Sequence, residues 1–116
     1  MSDVETSEEI VDELDIDSKS INKAFIVGNL EKDPNIGQTA NNKIIANLSV
    51  VTDESYINNE DVKIEKYEKH RVVAWGKQAE YCKKLKKGQK VYIEGKNQSR
   101  KTENGVVGEI VATKIQ

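Results

Sequence analysis

Residues 67–96, YEKHRVVAWGKQAEYCKKLKKGQKVYIEGK, contain the changes of period that decide the fold. Tyr67–Trp75 is rich in aromatic and β-branched residues, the composition of a strand. From Lys77 the apolar residues recur every third position, at Ala79, Cys82 and Leu85 with Tyr81 beside them, so Lys77–Leu85 reads as a short helix. Gly88 is placed to stop it in the manner of a C-cap glycine. Lys90–Lys96 returns to alternation, with Val91 and Ile93 on one face and Lys90, Tyr92 and Glu94 on the other.

Outward from this segment, Ala24–Leu30 and Ile44–Thr52 read as two earlier strands. The second places Ile44, Ala46, Leu48 and Val50 on one face. Glu31–Gly37, which holds the only proline, Pro34, reads as a turn. Asp53–Lys66 and Asn97–Gly108 read as long polar loops, and Glu109–Ile115 as the last strand. The expected fold is all-β with one short helix between the third and fourth strands. That is the order of a five-stranded OB-fold Greek-key barrel.

The chain has 116 residues, 36% of them hydrophobic, a lean content that suits one small domain with polar segments attached. No apolar run approaches the roughly 18 residues that a membrane span requires. The N-terminal sequence lacks the basic flank and apolar stretch of a signal peptide. A single cysteine forms no internal disulfide, and no Cys/His spacing suggests zinc. The expectation is a cytoplasmic protein without metal or cofactor and without a membrane partner. The net charge of −2 conceals a division. Residues 1–18 carry eight acids and no Lys or Arg, whereas residues 19–116 hold all 18 basic residues and 12 acids, a body of +6. Residues 1–20 therefore read as an acidic extension too polar to pack, and 21–116 as the folded domain. Within the extension, Thr6 and Glu9 match a capping box ahead of Ile10, Val11 and Leu14, enough for a transient helical turn.

Enzymatic chemistry finds little support. His70 and Cys82 are the only Cys–His pair, and Cys82 falls on the apolar stripe of the helix, where a packed small residue is expected. His70 reads as a packing or subunit-interface residue, with a nucleic-acid contact as the alternative. No Walker loop, HExxH or GxSxG motif occurs.

Binding of single-stranded nucleic acid fits better, because it requires cations for phosphates and flat side chains for bases. Lys66, Lys69, Arg71, Lys77, Lys96, Arg100 and Lys101 lie on or beside the third and fourth strands and the loop after the fourth. Tyr56, Tyr67, Trp75 and Tyr92 are interleaved with them. Trp75 shares its strand parity with Tyr67, Lys69 and Arg71, which favours stacking over a place in the core. Tyr56, in a polar loop, has little core to join. Tyr92 divides between barrel surface and interface packing. Lys83–Lys87 reads as the solvated end of the helix, where cations complement the macrodipole.

The same residues carry a family resemblance. Residues 22–30, NKAFIVGNL, with Asp33-Pro34, ANLSVVT at 46–52 with Tyr56, HRVVAWGK at 70–77 with Ala79-Glu80, and KKG, VYIEG and Arg100-Lys101 thereafter resemble the bacterial single-stranded-DNA-binding protein family over Ile21–Ile115. The resemblance implies an OB-fold that coats and protects single-stranded DNA in replication, recombination and repair, and that forms homotetramers. It implies base stacking on Tyr56 and Trp75, phosphate or groove contacts by Lys23, Arg71, Lys77, Lys96, Arg100 and Lys101, and a role in subunit assembly for His70. Two positions depart from the pattern: Lys69 and Thr102 stand where an aromatic is expected. Two of four expected stacking platforms are then missing, which weakens binding unless Tyr67 or added lysines compensate, and leaves electrostatics a larger share. The acidic segment lies at the front rather than after the last strand, so residues 3–17 are candidates for competing with DNA, for docking replication and repair proteins, or for both, with a merely solubilising tail as the alternative. The alternatives are an SSB-like accessory protein of primosomal type, acting mainly through protein assembly, and an OB module devoted wholly to protein–protein contacts.

Overall fold

The computed structural model describes residues 20–116. The acidic segment and its capping box, read from the sequence above, lie outside the described residues apart from Ser20.

The elements in order are β1 (Ala24–Leu30), β2 (Asn35–Gln38), β3 (Ile44–Asp53), β4 (Tyr56–Ile57), β5 (Lys63–Ile64), β6 (Tyr67–Trp75), α1 (Lys77–Cys82), β7 (Lys90–Thr102) and β8 (Gly105–Ile115). The main sheet runs β1-β7-β8-β6-β3-β2, and pairing of Asn29 and Leu30 with Val51 and Val50 joins β1 to β3, so the sheet closes on itself. All neighbours are antiparallel except β6 and β8, which pair in parallel through Val72↔Ile110 and Val73↔Val111. This is the OB barrel expected from the order of strands and helix.

Several expectations need correction. There are eight strands among the described residues rather than five. The predicted turn Glu31–Gly37 contains the start of β2, which pairs with β3 from Asn35↔Asn47 to Gln38↔Ile44, so it continues the wall that β1 begins. The predicted loop Asp53–Lys66 contains the β4–β5 hairpin. The predicted loop Asn97–Gly108 is instead the outer half of a β7–β8 hairpin, paired as far as Thr102↔Gly105. Its polar composition reflects an arm exposed on both faces, which no apolar alternation could mark. The helix ends at Cys82, with Lys83 as its C-cap. Gly88 lies beyond it, in a turn with φ 88° and with its N–H donating to the Leu30 carbonyl.

The core is built from alternation. Ala46, Leu48 and Val50 of β3 meet Val72 and Ala74 of β6, Val91 and Ile93 of β7, and Ile110, Ala112 and Ile115 of β8. Ala79, Cys82 and Leu85 from α1 and its continuation belong to the same cluster. Gln78 fastens the helix to the last strand, its Oε1 accepting from the Ile115 N–H at 3.1 Å. Two glycines permit the closure. A Cβ at Gly28, where β1 passes from β7 to β3, would overlap the Val51 carbonyl oxygen. A Cβ at Gly95, at the bulge in β7, would overlap that of Val111.

Candidate nucleic-acid interface

The outer parity of β6 carries Tyr67, Lys69, Arg71, Val73 and Trp75. At about 3.3 Å per residue, these eight steps span roughly 26 Å. Tyr67 and Trp75 stand exposed at the two ends, 54% and 43% accessible, with Lys69 and Arg71 exposed between them. Val73 is buried in the floor. Alongside on β3 lie Ile45, Asn47, Ser49, Val51 and Asp53, each directly paired with one of these residues.

The β7–β8 hairpin walls one side of this face and residues 31–35 the other. Between them lie two depressions that share Lys69, His70, Arg71 and Glu109. One, of about 580 Å³, reaches Asn97, Gln98 and Ser99. The other, of about 410 Å³, reaches Glu31, Lys32, Asn35, Asn47 and Arg100. A third, more apolar cleft of about 510 Å³ adjoins Trp75 and is lined by Asn42, Lys43, Ile44, Gly76 and Glu80. The outer face is thus a polar groove with an aromatic at each end.

The predicted site residues divide. Lys69, Arg71 and Arg100 line the groove. Lys96 pairs with Val111 on the parity of Val73, and Lys77 opens α1 directly after the Trp75–Gly76 turn. Lys101 occupies the opposite face of the arm from Arg100. Tyr56 is exposed on β4, across from Ile64, and Tyr67 hydrogen-bonds Glu65 at 3.3 Å. Glu65, and to a lesser degree Asp53, raises the Tyr67 hydroxyl above its ordinary pKa. Lys23 is not brought to the groove. It pairs with Glu94 at 3.2 Å on the β1–β7 wall. Tyr92 is on that same wall, opposite Val27 and near exposed Phe25. His70 shares the parity of the core residues Val72 and Ala74, is half-buried, and meets Thr52 Oγ1 through Nε2 at 3.0 Å. His70 lines the groove depressions, whereas Tyr92 lies on the β1–β7 pair.

The two departures from the family pattern have structural uses. Lys69 Nζ is ion-paired with Glu31. Thr102 braces the tip of the arm, donating to the Gly105 carbonyl and accepting from the Asn104 N–H. Cys82 is fully buried, and burial pushes its thiol up to about 11.

Sequence reading missed the groove's carboxylates. Glu31 accepts from Ser49 Oγ at 2.8 Å, and Glu109, buried, is met by Arg100 Nε at 3.1 Å. Asn47 and Ser49 could have been found, since they alternate with the core residues of β3. Glu109 could not, because its partner lay in a segment read as loop.

Comparison with known proteins agrees with this architecture. The model of the single-strand binding protein family matches residues 21–116. The chain is 37% identical over 106 residues to single-stranded DNA-binding protein 1 of Chlorobaculum tepidum, covering 85% of this chain and 65% of that protein's length. Among solved structures, the Plasmodium falciparum SSB in complex with ssDNA superposes with a TM-score of 0.76 at 26% identity, over 87% of this chain and 96% of that one. A deletion variant of the Thermus aquaticus single-stranded DNA-binding protein gives 0.73 at 26% identity, over 83% of this chain and 49% of that one. The chain, an OB barrel with an open polar groove across β3 and β6, belongs to the single-strand binding protein family.

Proposed function

We propose that the protein binds single-stranded DNA without sequence preference, along the outer face of β6, and so coats and protects it during replication, recombination and repair. The carrying observation is the alternation on β6, which sets two exposed aromatics at the ends of a groove with cations between them. The likeness to an SSB seen with ssDNA supports it. Bases stack on Trp75, Tyr67 and Tyr56, while Arg71, Arg100, Lys77, Lys96 and Lys101 meet phosphates. Lys69 contributes less than its charge suggests because Glu31 offsets it, and Lys23 is tied to Glu94. The protein acts by binding, not turnover. Its one thiol is buried and held neutral, so it supplies no nucleophile.

A second copy of the chain docks on the β1–β7 wall, where Phe25, Val27 and Tyr92 form an apolar strip, and the assembly is a homotetramer by likeness to the family. Residues 1–18 compete with DNA for the groove or dock a replication or repair protein. The site of action is cytoplasmic, at the nucleoid.

Titration with oligo(dT) at two salt concentrations, read by the fluorescence of Trp75, tests the central reading. Trp75 is the only tryptophan, so the signal is unambiguous. Strong quenching that weakens with salt is expected. No response up to tens of micromolar protein overturns the reading. Sedimentation of the free protein tests the assembly, and a monomer at those concentrations removes it.

A further inference from the structure

Glu109 poses a problem for a groove that binds a polyanion. Its carboxylate sits on the groove floor, its side chain only 4% exposed, where a negative charge would repel phosphate. A buried carboxylate persists only when its lone pairs are occupied. Here Arg100 Nε donates to Oε1 at 3.1 Å, and Gln98 Nε2 reaches Oε2 at 3.4 Å. Both partners come from β7, across the hairpin from Glu109 on β8.

The way Arg100 is held matters. Among the described residues its guanidinium makes one hydrogen bond, through Nε, and the side chain remains 48% exposed. The two terminal amino groups have no protein partner among the described residues, and they match the spacing of two phosphate oxygens. An unrestrained arginine on an exposed arm would lose rotamer freedom each time it met a phosphate. One already fixed at Nε has lost much of it beforehand.

We propose that Glu109 is a positioning residue for the groove: it fixes Arg100 by Nε so that the terminal amino groups are presented to a backbone phosphate of single-stranded DNA. The proposal rests on the function proposed above. It sets Glu109 apart from Glu31, which is on the exposed rim and acts on Lys69 as a simple counter-charge.

Affinity for oligo(dT) across a salt series distinguishes the two roles. Plain repulsion predicts that Glu109→Ala binds more tightly. Positioning predicts that it binds roughly 10-fold more weakly, the loss of one well-formed charged hydrogen bond. It also predicts a salt slope reduced by about one phosphate contact, as in Arg100→Ala. The double variant should be no weaker than either single one, since both remove the same contact. Glu109→Gln keeps an acceptor for Nε and should retain binding. Binding by Glu109→Ala as tight as the parent, or additive losses in the double variant, overturns the proposal.

Because Glu109 is buried, Arg100→Lys gives an independent check at an exposed position. It keeps the charge but cannot bond through Nε and still present a fork, so a comparable loss is expected, and parent-like binding overturns the proposal. Failure of the unaltered chain to bind oligo(dT) would instead overturn the reading of the groove itself.

Discussion

Lys69 Nζ lies 2.6 Å from Glu31 Oε2, and Ser49 Oγ donates to the other oxygen of the same carboxylate at 2.8 Å. The Lys69 bond foremost, and the Ser49 bond after it, hold the Glu31 carboxyl below the usual range. A lowered pKa means that the pair's contribution is present above the ordinary carboxylate pKa and lost as pH falls through the lowered one. At neutral pH Glu31 is therefore ionised, and a lysine where the family pattern has an aromatic is largely neutralised by its neighbour. Glu31→Gln should free that cation. At low salt, binding to oligo(dT) should tighten roughly 2- to 5-fold, the scale of an exposed ion pair. The salt slope should steepen by up to about one unit. Unchanged affinity at low salt would mean that Lys69 lies off the DNA path.

Restoring a ring at this position tests stacking directly. Lys69→Trp alone leaves Glu31 facing the DNA without a counter-charge, so the informative variant combines it with Glu31→Gln. A stacked base contributes about 1–3 kcal/mol, more than one exposed cation does. The double variant should bind oligo(dT) roughly 10-fold more tightly than Glu31→Gln alone, with a shallower salt dependence. A shallower slope without the gain would show that bases do not pass over β6 at this point. Thr102 is the poorer place for the experiment, because its hydroxyl braces the hairpin tip.

The strands of the barrel were legible in the sequence where they alternate. Ala46, Leu48 and Val50 declare their inner face against Asn47 and Ser49, as Val91 and Ile93 do against Tyr92. The order of strands and helix supplied the rest. The arm Asn97–Gly108 was not legible, since a hairpin solvated on both faces has no apolar period, and its pairing follows from the register set farther down β7 and β8. The candidate site inherited that gap. Cations and aromatics on β6 could be placed by parity alone, whereas the acids that restrain them, Glu31 and Glu109, meet their partners only through long-range pairing.

Gly28 and Gly95 make a stability prediction independent of DNA. Each lies where two backbones approach too closely for a side chain, and in both cases the obstacle is a carbonyl oxygen that cannot rotate away. Gly28→Ala and Gly95→Ala should each destabilise the domain by roughly 1–3 kcal/mol, the range of overpacking, read as a lower urea midpoint. Gly37→Ala is the control. Its Cβ would meet Ile45 at an ordinary 3.8 Å, and the loss of chain entropy in the unfolded state should leave it neutral or slightly stabilising. Equal stability of all three would mean that β1 and β7 bend with more freedom than their pairing implies.

Cys82 should behave as a core residue. Its thiol is fully buried and pushed up to about 11, so at pH 8 almost none of it is thiolate. Reaction with a disulfide reagent should be negligible in the folded protein and become rapid in denaturant, following the unfolding transition. Fast labelling of the native state would reopen the possibility of thiol chemistry.

The first described residues tie the start of the domain to the groove. Asn22 Nδ2 donates to the Asn97 carbonyl at 2.7 Å, and the Asn97 N–H donates back to Asn22 Oδ1 at 3.0 Å. Asn97 also lines the groove, so the chain enters the domain at the groove's own wall. Eighteen residues can span up to roughly 60 Å, ample for a face of about 26 Å. With eight negative charges against a +6 body, the segment carries the charge that the proposed competition with phosphates requires. A chain lacking residues 1–18 should bind oligo(dT) more tightly at low salt, and the difference should close as salt shortens the Debye length below about 10 Å. Shuffling the order of residues 3–17 at constant charge should preserve the effect, since the competition depends on charge rather than sequence. Equal affinities of the full and shortened chains at the lowest salt would remove competition as a role of the segment and leave the docking of a partner protein.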